Sequence, residues 1–178
     1  MPVAKFPRVV LATPLGAIRI RVDIDNAPIT AANFLAYVDG GHLDGTSFYR
    51  LVRNDNQPDD SVKIEVVQFG HEFRDRSYCW PLPCIAHEPT SVTGLSHRDG
   101  TISMARFEPG TAGSGFFICV GDQPELDFGG RRQPDGQGFA AFGQVEQGMD
   151  VVRAILARAG SAQFVLNPTP LLKATRAE

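Results

Sequence analysis

A mostly-β fold is what this sequence predicts, on three observations. Its 18 glycines and 13 prolines are spread along 178 residues instead of gathered into a linker, which suits many short strands joined by tight turns. Apolar residues recur mainly in short alternating or continuous runs, and only two stretches carry the i, i+3, i+4, i+7 spacing of an amphipathic helix. A content of 43% hydrophobic and 21% charged residues is that of a globular chain long enough to bury one substantial core, so one domain over 1–178 is expected.

In chain order, Arg8 to Thr13 and Ala17 to Val22 read as two strands around the turn Pro14-Leu15-Gly16, with Ile18, Ile20 and Val22 inward and Arg19 and Arg21 in water. Pro28 opens a helix whose stripe is Ala31, Phe34, Leu35 and Val38, and Gly40-Gly41 stops it. Thr46 to Val52 is a strand in which strict alternation puts Phe48 and Arg50 on one face and Tyr49 and Leu51 on the other. Arg50 is thus an always-charged group on an apolar pleated surface, a residue that needs a partner or a purpose. Asn54 to Ser61 has no apolar residue except proline and reads as a solvated loop, followed by a strand from Val62 to Gln68.

Periodicity is lost from Phe73 to Thr93, an irregular loop, and returns in the strand Gly100 to Arg106. The small residues from Glu108 to Gly115 allow close backbone approach without a phosphate-binding signature. Phe116 to Gly121 reads as a strand buried on both faces, which sends Phe116 and Phe117 opposite ways. After a polar loop, Asp127 to Gln137, come a strand from Gly138 to Val145 and a helix from about Gly148 to Gly160 with Val152, Ile155, Leu156 and Ala159 as its stripe. The tail from Val165 to Thr175 is strand-like, and Pro168 and Pro170 assign it to an edge or a bulge.

A net charge of −3 gives no broad positive field, so nucleic acid is disfavoured, and Arg131-Arg132 alone is no basic patch. No run is apolar enough to span a bilayer, and Met1 to Lys5 lacks the apolar stretch of a secretory leader. A cytoplasmic protein is expected, an exported form with its signal removed being the alternative. Cys79, Cys84 and Cys119 are too few and too unevenly spaced for a disulfide framework, so free thiols are expected, with a Cys79–Cys84 pair across the Pro81/Pro83 turn as the lesser possibility. Cys79 and Cys84 with His71 and His87 match no standard zinc spacing, and the four histidines, His42, His71, His87 and His97, suit polar surface or loop-pinning roles; no metal is expected.

Several separated motifs, in order, resemble the cyclophilins, the peptidyl-prolyl cis-trans isomerases: Asn33-Phe34, Thr46 to Arg50, Gln68-Phe69-Gly70, Gly100 to Ala105, Gly113 to Ile118, Leu126-Asp127 and Phe142-Gly143. The run Pro134 to Gly143 is similar to that of bacterial members. The resemblance implies a closed eight-stranded antiparallel β-barrel capped by two α-helices, with a substrate groove outside one face. It also implies a monomer that needs no cofactor and acts on proline-containing polypeptides during folding. On it, Arg50 stands beside the prolyl bond, Gln68 contacts substrate backbone and Phe117 floors the proline pocket; these are the catalytic positions. Val66 and Leu126 match pocket walls, Ala105 and Arg106 the stretch that bonds the peptide main chain, and Phe139 the rim, while Tyr49 replaces a histidine beside the arginine. Gly115 stands where the family has a glutamine, Phe69 where it has a second glycine, Arg106 where it has an asparagine and Glu125 where it has an aromatic; the phenylalanine expected before Val66 is absent at Ile64 and Glu65.

These residue types fit the reaction. Rotation about a peptide bond meets a barrier of about 18–20 kcal/mol because the nitrogen lone pair is delocalised. In the twisted state that pair localises on nitrogen and accepts a hydrogen bond, so a fixed guanidinium favours it over the planar state. No nucleophile, proton transfer or metal is required. Two rivals are a module on the same fold that holds proline peptides without turning them over, and a barrel with an internal ligand cavity, which large interior side chains disfavour.

Overall fold

The computed structural model describes residues 6–73 and 76–178, so the segment read above for a leader lies outside the described residues. The protein is mostly β: nine strands form one antiparallel sheet in the order β8-β3-β4-β6-β5-β7-β2-β1-β9, accompanied by three helices among the described residues. No described helix is long and apolar enough to cross a membrane.

β1 (Arg8–Thr13) and β2 (Gly16–Val22) form the expected hairpin, with Thr13 opposite Gly16. Val9, Leu11, Ile18, Ile20 and Val22 are fully buried, while Arg19 and Arg21 are half-buried on the wet face. Helix α1 (Pro28–Asp39) buries Ala31, Phe34, Leu35 and Val38 as its spacing requires. Its free N-terminal donors are met from far along the chain, because the Glu88 carboxylate accepts from the Thr30 N–H at 2.6 Å and the Ile29 N–H at 3.3 Å. α1 packs on β7 (Ala141–Gln147) and β9 (Lys173–Ala177); α3 (Met149–Leu156) packs on β2, β3 (Ser47–Val52) and β4 (Val66–Gly70). α3 is shorter than its stripe suggests, since tight turns after Leu156 place Ala159 beyond it.

One face of the sheet is filled by large side chains. Phe34, Tyr37, Phe48, Phe69, Phe116 and Phe142 are all fully buried, and the Phe34–Phe116 and Phe48–Phe69 ring centroids both lie 5.1 Å apart. An internal ligand cavity is incompatible with this filling. The other face of β4, β5 (Thr101–Met104) and β6 (Gly115–Cys119) carries a second, smaller cluster around Val66, Ala105, Phe117 and Leu126. Alternation therefore makes Phe116 core and Phe117 the floor of an outer surface, as expected.

Several expectations are corrected. Instead of eight strands and two helices there are nine and three, because the tail divides into β8 (Phe164–Pro170) on β3 and β9 on β1, and a short α2 (Thr90–Thr93) forms in the segment read as irregular. The division falls at Leu171-Leu172, whose N–H groups bond the Thr46 and Ala12 carbonyls, so the chain steps from one end of the sheet directly to the other. β4 starts at Val66 because the Gln57 amide takes the Ile64 carbonyl at 2.7 Å and N–H at 3.3 Å, and Arg132 takes the Val62 carbonyl at 2.7 Å. Those backbone groups are not available to a ladder. The loop read as solvated accordingly contains two buried amides, Asn56 and Gln57, and a turn of 3-10 helix at Asn54–Asn56. Cys79 and Cys84 are paired as a disulfide with Cα atoms 4.7 Å apart, so only Cys119 of the three is free.

The most consequential correction concerns β3. Ser47 pairs with Gly70 and Arg50 with Gln68, so the pair Phe48-Tyr49 opposes the single residue Phe69. This bulge reverses the parity of the strand. Phe48 and Leu51 lie in the core, and Arg50 is released to the opposite face, not the face of Phe48.

Candidate active site

The face to which Arg50 is released holds a cavity of about 170 Å³. That is below the roughly 300–1,000 Å³ of pockets that enclose whole small molecules, and suits one side-chain ring. Val66 on β4, Phe117 on β6, Ala105 just past β5 and Leu126 supply apolar wall and floor, with Phe139 at one side. Arg50 and Gln68, directly opposite one another across the β3–β4 ladder, form the polar end.

Every hydrogen bond of the Arg50 guanidinium goes to an amide, and the Phe164 ring centroid lies 5.9 Å from its central carbon. Its Nη1 donates to Gln68 Oε1 at 3.0 Å; its Nε and Nη2 donate to Gln163 Oε1 at 3.1 and 2.7 Å. Two of its five N–H groups are left without a protein partner among the described residues. Burial presses Arg50 below its ordinary value and nearby Arg132 adds to this, while Tyr78 acts in the opposite sense; a guanidinium remains charged throughout. No carboxylate forms an ion pair with it among the described residues. The site presents a fixed cation with no carboxylate bonded to it, beside a pocket with an apolar floor.

Because an arginine only donates, the Gln68 oxygen must face Arg50 and its nitrogen must face away. That nitrogen donates to the Tyr49 hydroxyl at 2.8 Å and toward the Tyr78 hydroxyl at 3.4 Å. Burial pushes the Tyr49 phenol well above its ordinary value, so it stays protonated. Tyr49 braces Gln68 from behind and does not line the cavity.

Arg106 lines the cavity, but all five of its N–H groups are committed: to the Asp135 carboxylate at 2.8 and 3.0 Å, to the Phe107 carbonyl at 2.8 Å, and twice to the Gly138 carbonyl. Its guanidinium carbon lies 5.3 Å from the Phe139 ring centroid. This side chain fixes the rim segment that carries Phe139 and has no donor left for a peptide, so a bond from this stretch to a peptide main chain would fall to the backbone of Ala105 and Arg106. The hydrogen bonds from Arg106 hold the Asp135 carboxyl below its ordinary value of 3.8. Gly115 lies under the Tyr78 ring and does not line the cavity either.

Behind Phe117, the His97 ring stacks on the floor with centroids 6.0 Å apart and joins Asp127 at 2.7 Å to Ser103 at 2.8 Å. Burial works to raise the Asp127 carboxyl, but the His97 contacts outweigh it and hold it low. Eight of the ten residues singled out in the sequence line one cavity. Ile64, Tyr78, Arg132 and Gln133 line it unannounced, and Gln163 reaches the Arg50 guanidinium from 113 residues further along the chain. Contacts across such separations leave no local pattern to read. A larger cavity of about 520 Å³ is bounded by His71, Glu72, Ser77, Trp80 and Ser114, with no arginine or lysine among those residues. Among the described residues no three His, Cys, Asp or Glu side chains gather as a metal site.

With this geometry in hand, comparison with known proteins is direct. Residues 8–175 match the family described as cyclophilin type peptidyl-prolyl cis-trans isomerase/CLD. The chain is 35% identical over 146 residues to the peptidyl-prolyl cis-trans isomerase cyp18 of Streptomyces antibioticus, covering 82% of this chain and 80% of that protein. It is 36% identical over 148 residues to peptidyl-prolyl cis-trans isomerase A of Dickeya dadantii, covering 83% and 70%. A crystal structure of a cyclophilin type peptidyl-prolyl cis-trans isomerase from Cryptosporidium parvum superposes with a TM-score of 0.77 at 18% identity, covering 97% of this chain and 98% of that one. The chain belongs to the cyclophilin-type peptidyl-prolyl cis-trans isomerase family.

Proposed function

We propose that this chain, as one unit over residues 1–178, catalyses rotation about X-Pro peptide bonds of polypeptides, with Arg50 as the donor that favours the twisted state. One observation carries the mechanism: a guanidinium clamped by two neutral amides stands at the polar end of a ring-sized apolar pocket. Phe117, Val66 and Leu126 hold the proline ring. As the bond twists, nitrogen becomes pyramidal and its localised lone pair accepts from Arg50, an interaction the planar amide offers only weakly. Gln68 and Gln163 fix the guanidinium in advance, so little reorganisation is needed when that charge appears. Nothing covalent passes between protein and substrate.

For the architecture we take β8 and β9 as one strand interrupted at Leu171-Leu172. Its pairing with β3 at one end and β1 at the other supports an eight-stranded closed barrel with the pocket on its outside. The test of function is catalysed cis-to-trans relaxation of an Ala-Pro peptide at low temperature, where the uncatalysed step takes minutes. Arg50→Ala is expected to lower turnover about 10²–10³-fold, the usual range for removal of one preorganised transition-state donor. A folded native chain that fails to accelerate relaxation, across several residues before proline, would leave a proline-peptide binding module in place of an enzyme.

A further inference from the structure

Tyr78 enters the pocket from the segment between β4 and α2, where the sequence shows no periodicity. Its ring is 5% exposed and stacks on Phe107, with centroids 5.0 Å apart and planes at 25°. Phe73 closes another side, also at 5.0 Å. The Tyr78 carbonyl accepts from the Ser114 N–H at 2.6 Å and from the Ser114 hydroxyl at 2.7 Å, so the backbone is pinned to the start of β6. Beneath the ring is Gly115. A Cβ there would lie 2.8 and 2.9 Å from the ring's Cδ1 and Cε1, closer than carbon atoms approach without bonding. The backbone of Gly115 is not left-handed, so close approach by Tyr78, not chain conformation, is what demands glycine.

Hydrogen-bond accounting then singles out the hydroxyl. The Gln68 oxygen is taken by Arg50, and its two N–H groups point to Tyr49 and Tyr78, so Gln68 has no donor left over. A phenol that accepts from Gln68 keeps its own proton, and among the described residues that of Tyr78 has no acceptor. Of the two tyrosines only Tyr78 faces the cavity.

Resting on the isomerase reading, we propose that Tyr78 is a substrate-binding residue whose hydroxyl donates to the main-chain carbonyl of the bound proline itself, on the side away from the rotating bond, with Gln68 aiming it. The bond is made to a part of the peptide that does not twist. It therefore contributes equally to ground and transition states, and belongs in affinity rather than in turnover.

The experiment is Tyr78→Phe, which keeps the ring and removes the hydroxyl. Affinity for Ala-Ala-Pro-Phe is measured by nuclear magnetic resonance titration and saturated turnover by exchange spectroscopy, with near-ultraviolet circular dichroism confirming the fold. Affinity is expected to fall about three- to tenfold, the range for one neutral hydrogen bond, with saturated turnover within about twofold. Unchanged affinity overturns the assignment; so does a loss confined to turnover, which would mean that Tyr78 only aligns Gln68. A second variant, Gly115→Ala, pushes the ring aside and should weaken binding at least as much, with Tyr78→Phe adding less than about twofold on top of it. Full additivity of the two also overturns the proposal. If the native chain binds without turning over, the isomerase reading falls and the affinity ratio still decides Tyr78; if it does not bind the peptide, both readings fall.

Discussion

Gln163→Glu separates the two properties ascribed to Arg50, its fixed position and its uncompensated charge. The Gln163 oxygen accepts from Arg50 at 2.7 and 3.1 Å while its nitrogen is tied to the Asn56 carbonyl at 3.2 Å. A glutamate keeps the shape and strengthens the clamp to charge-assisted bonds, offsetting the lost contact to Asn56. It also sets a full negative charge against the guanidinium. At an effective dielectric of about 20, half a unit of charge developing about 3 Å from the cation is stabilised by about 2.8 kcal/mol, and a carboxylate about 6 Å away removes about 1.4 kcal/mol of that. The expected result is about a tenfold lower turnover from a site at least as well ordered.

Gln163→Ala makes the converse change. The cation stays uncompensated but keeps only its Gln68 anchor, and recovery of about half of the roughly 2 kcal/mol of arginine rotamer entropy lowers turnover about fivefold. Both variants go through the Ala-Pro relaxation assay under saturating peptide, beside thermal unfolding. A glutamate variant as fast as the native chain or faster would refute the reasoning, because activity would then follow the tightness of the clamp and not the bare charge.

Two further outcomes concern the rim. Arg106→Met leaves the Phe107 and Gly138 carbonyls without their donor and dissolves the Arg106–Asp135 pair, whose exposed carboxylate water can hydrate; thermal unfolding should show a loss of about 1–3 kcal/mol, the cost of leaving buried polar groups unsatisfied, with weaker peptide binding as Phe139 loosens. The same pair predicts acid sensitivity. The Asp135 carboxyl is held below its ordinary value of 3.8 in the folded state, so its contribution is complete above that value and is lost as pH falls through the lower, folded one. Denaturant titrations of the native chain between about pH 5 and pH 2 should therefore show a declining unfolding free energy, with a shallower decline in Arg106→Met.

Where one residue type settles its own neighbourhood, the sequence reads well. Ile18, Ile20 and Val22 turn inward, Phe116 and Phe117 divide between core and pocket, and the stripe of α1 packs as its spacing demands. Reading fails where a partner strand or a distant side chain decides. The parity of β3 depends on one extra residue opposite Phe69, which exists only in the register with β4. Strict alternation thus finds Arg50 but puts it on the wrong face. Val62 to Glu65 has strand periodicity, yet its backbone is claimed by Gln57 and Arg132. Tyr78 sits in a stretch with no pattern, and the glycine that admits it is 37 residues away by count from Tyr78 to Gly115. The resemblance named eight of the residues that line the cavity, but not Tyr78, Arg132 or the supports around them.

The chain Asp127–His97–Ser103 shows why supports need the same scrutiny as the pocket. Its contacts, 2.7 Å and 2.8 Å, have the order of residues that activates a serine nucleophile. Burial decides otherwise: Ser103 is 0% exposed and the His97 side chain likewise, so no carbonyl carbon can reach the hydroxyl. What the chain does touch is Phe117, against which the imidazole lies nearly parallel at 16°. Asp127 also accepts from the His97 backbone N–H at 2.9 Å, fixing ring and main chain together. Phe117 is thereby held from behind by a hydrogen-bonded plate, while its neighbour Phe116 locks the same strand into the aromatic core. In the mechanism proposed above, a floor restrained on both sides would not yield to a gripped prolyl ring, and the twisting would be left to the peptide bond beside Arg50.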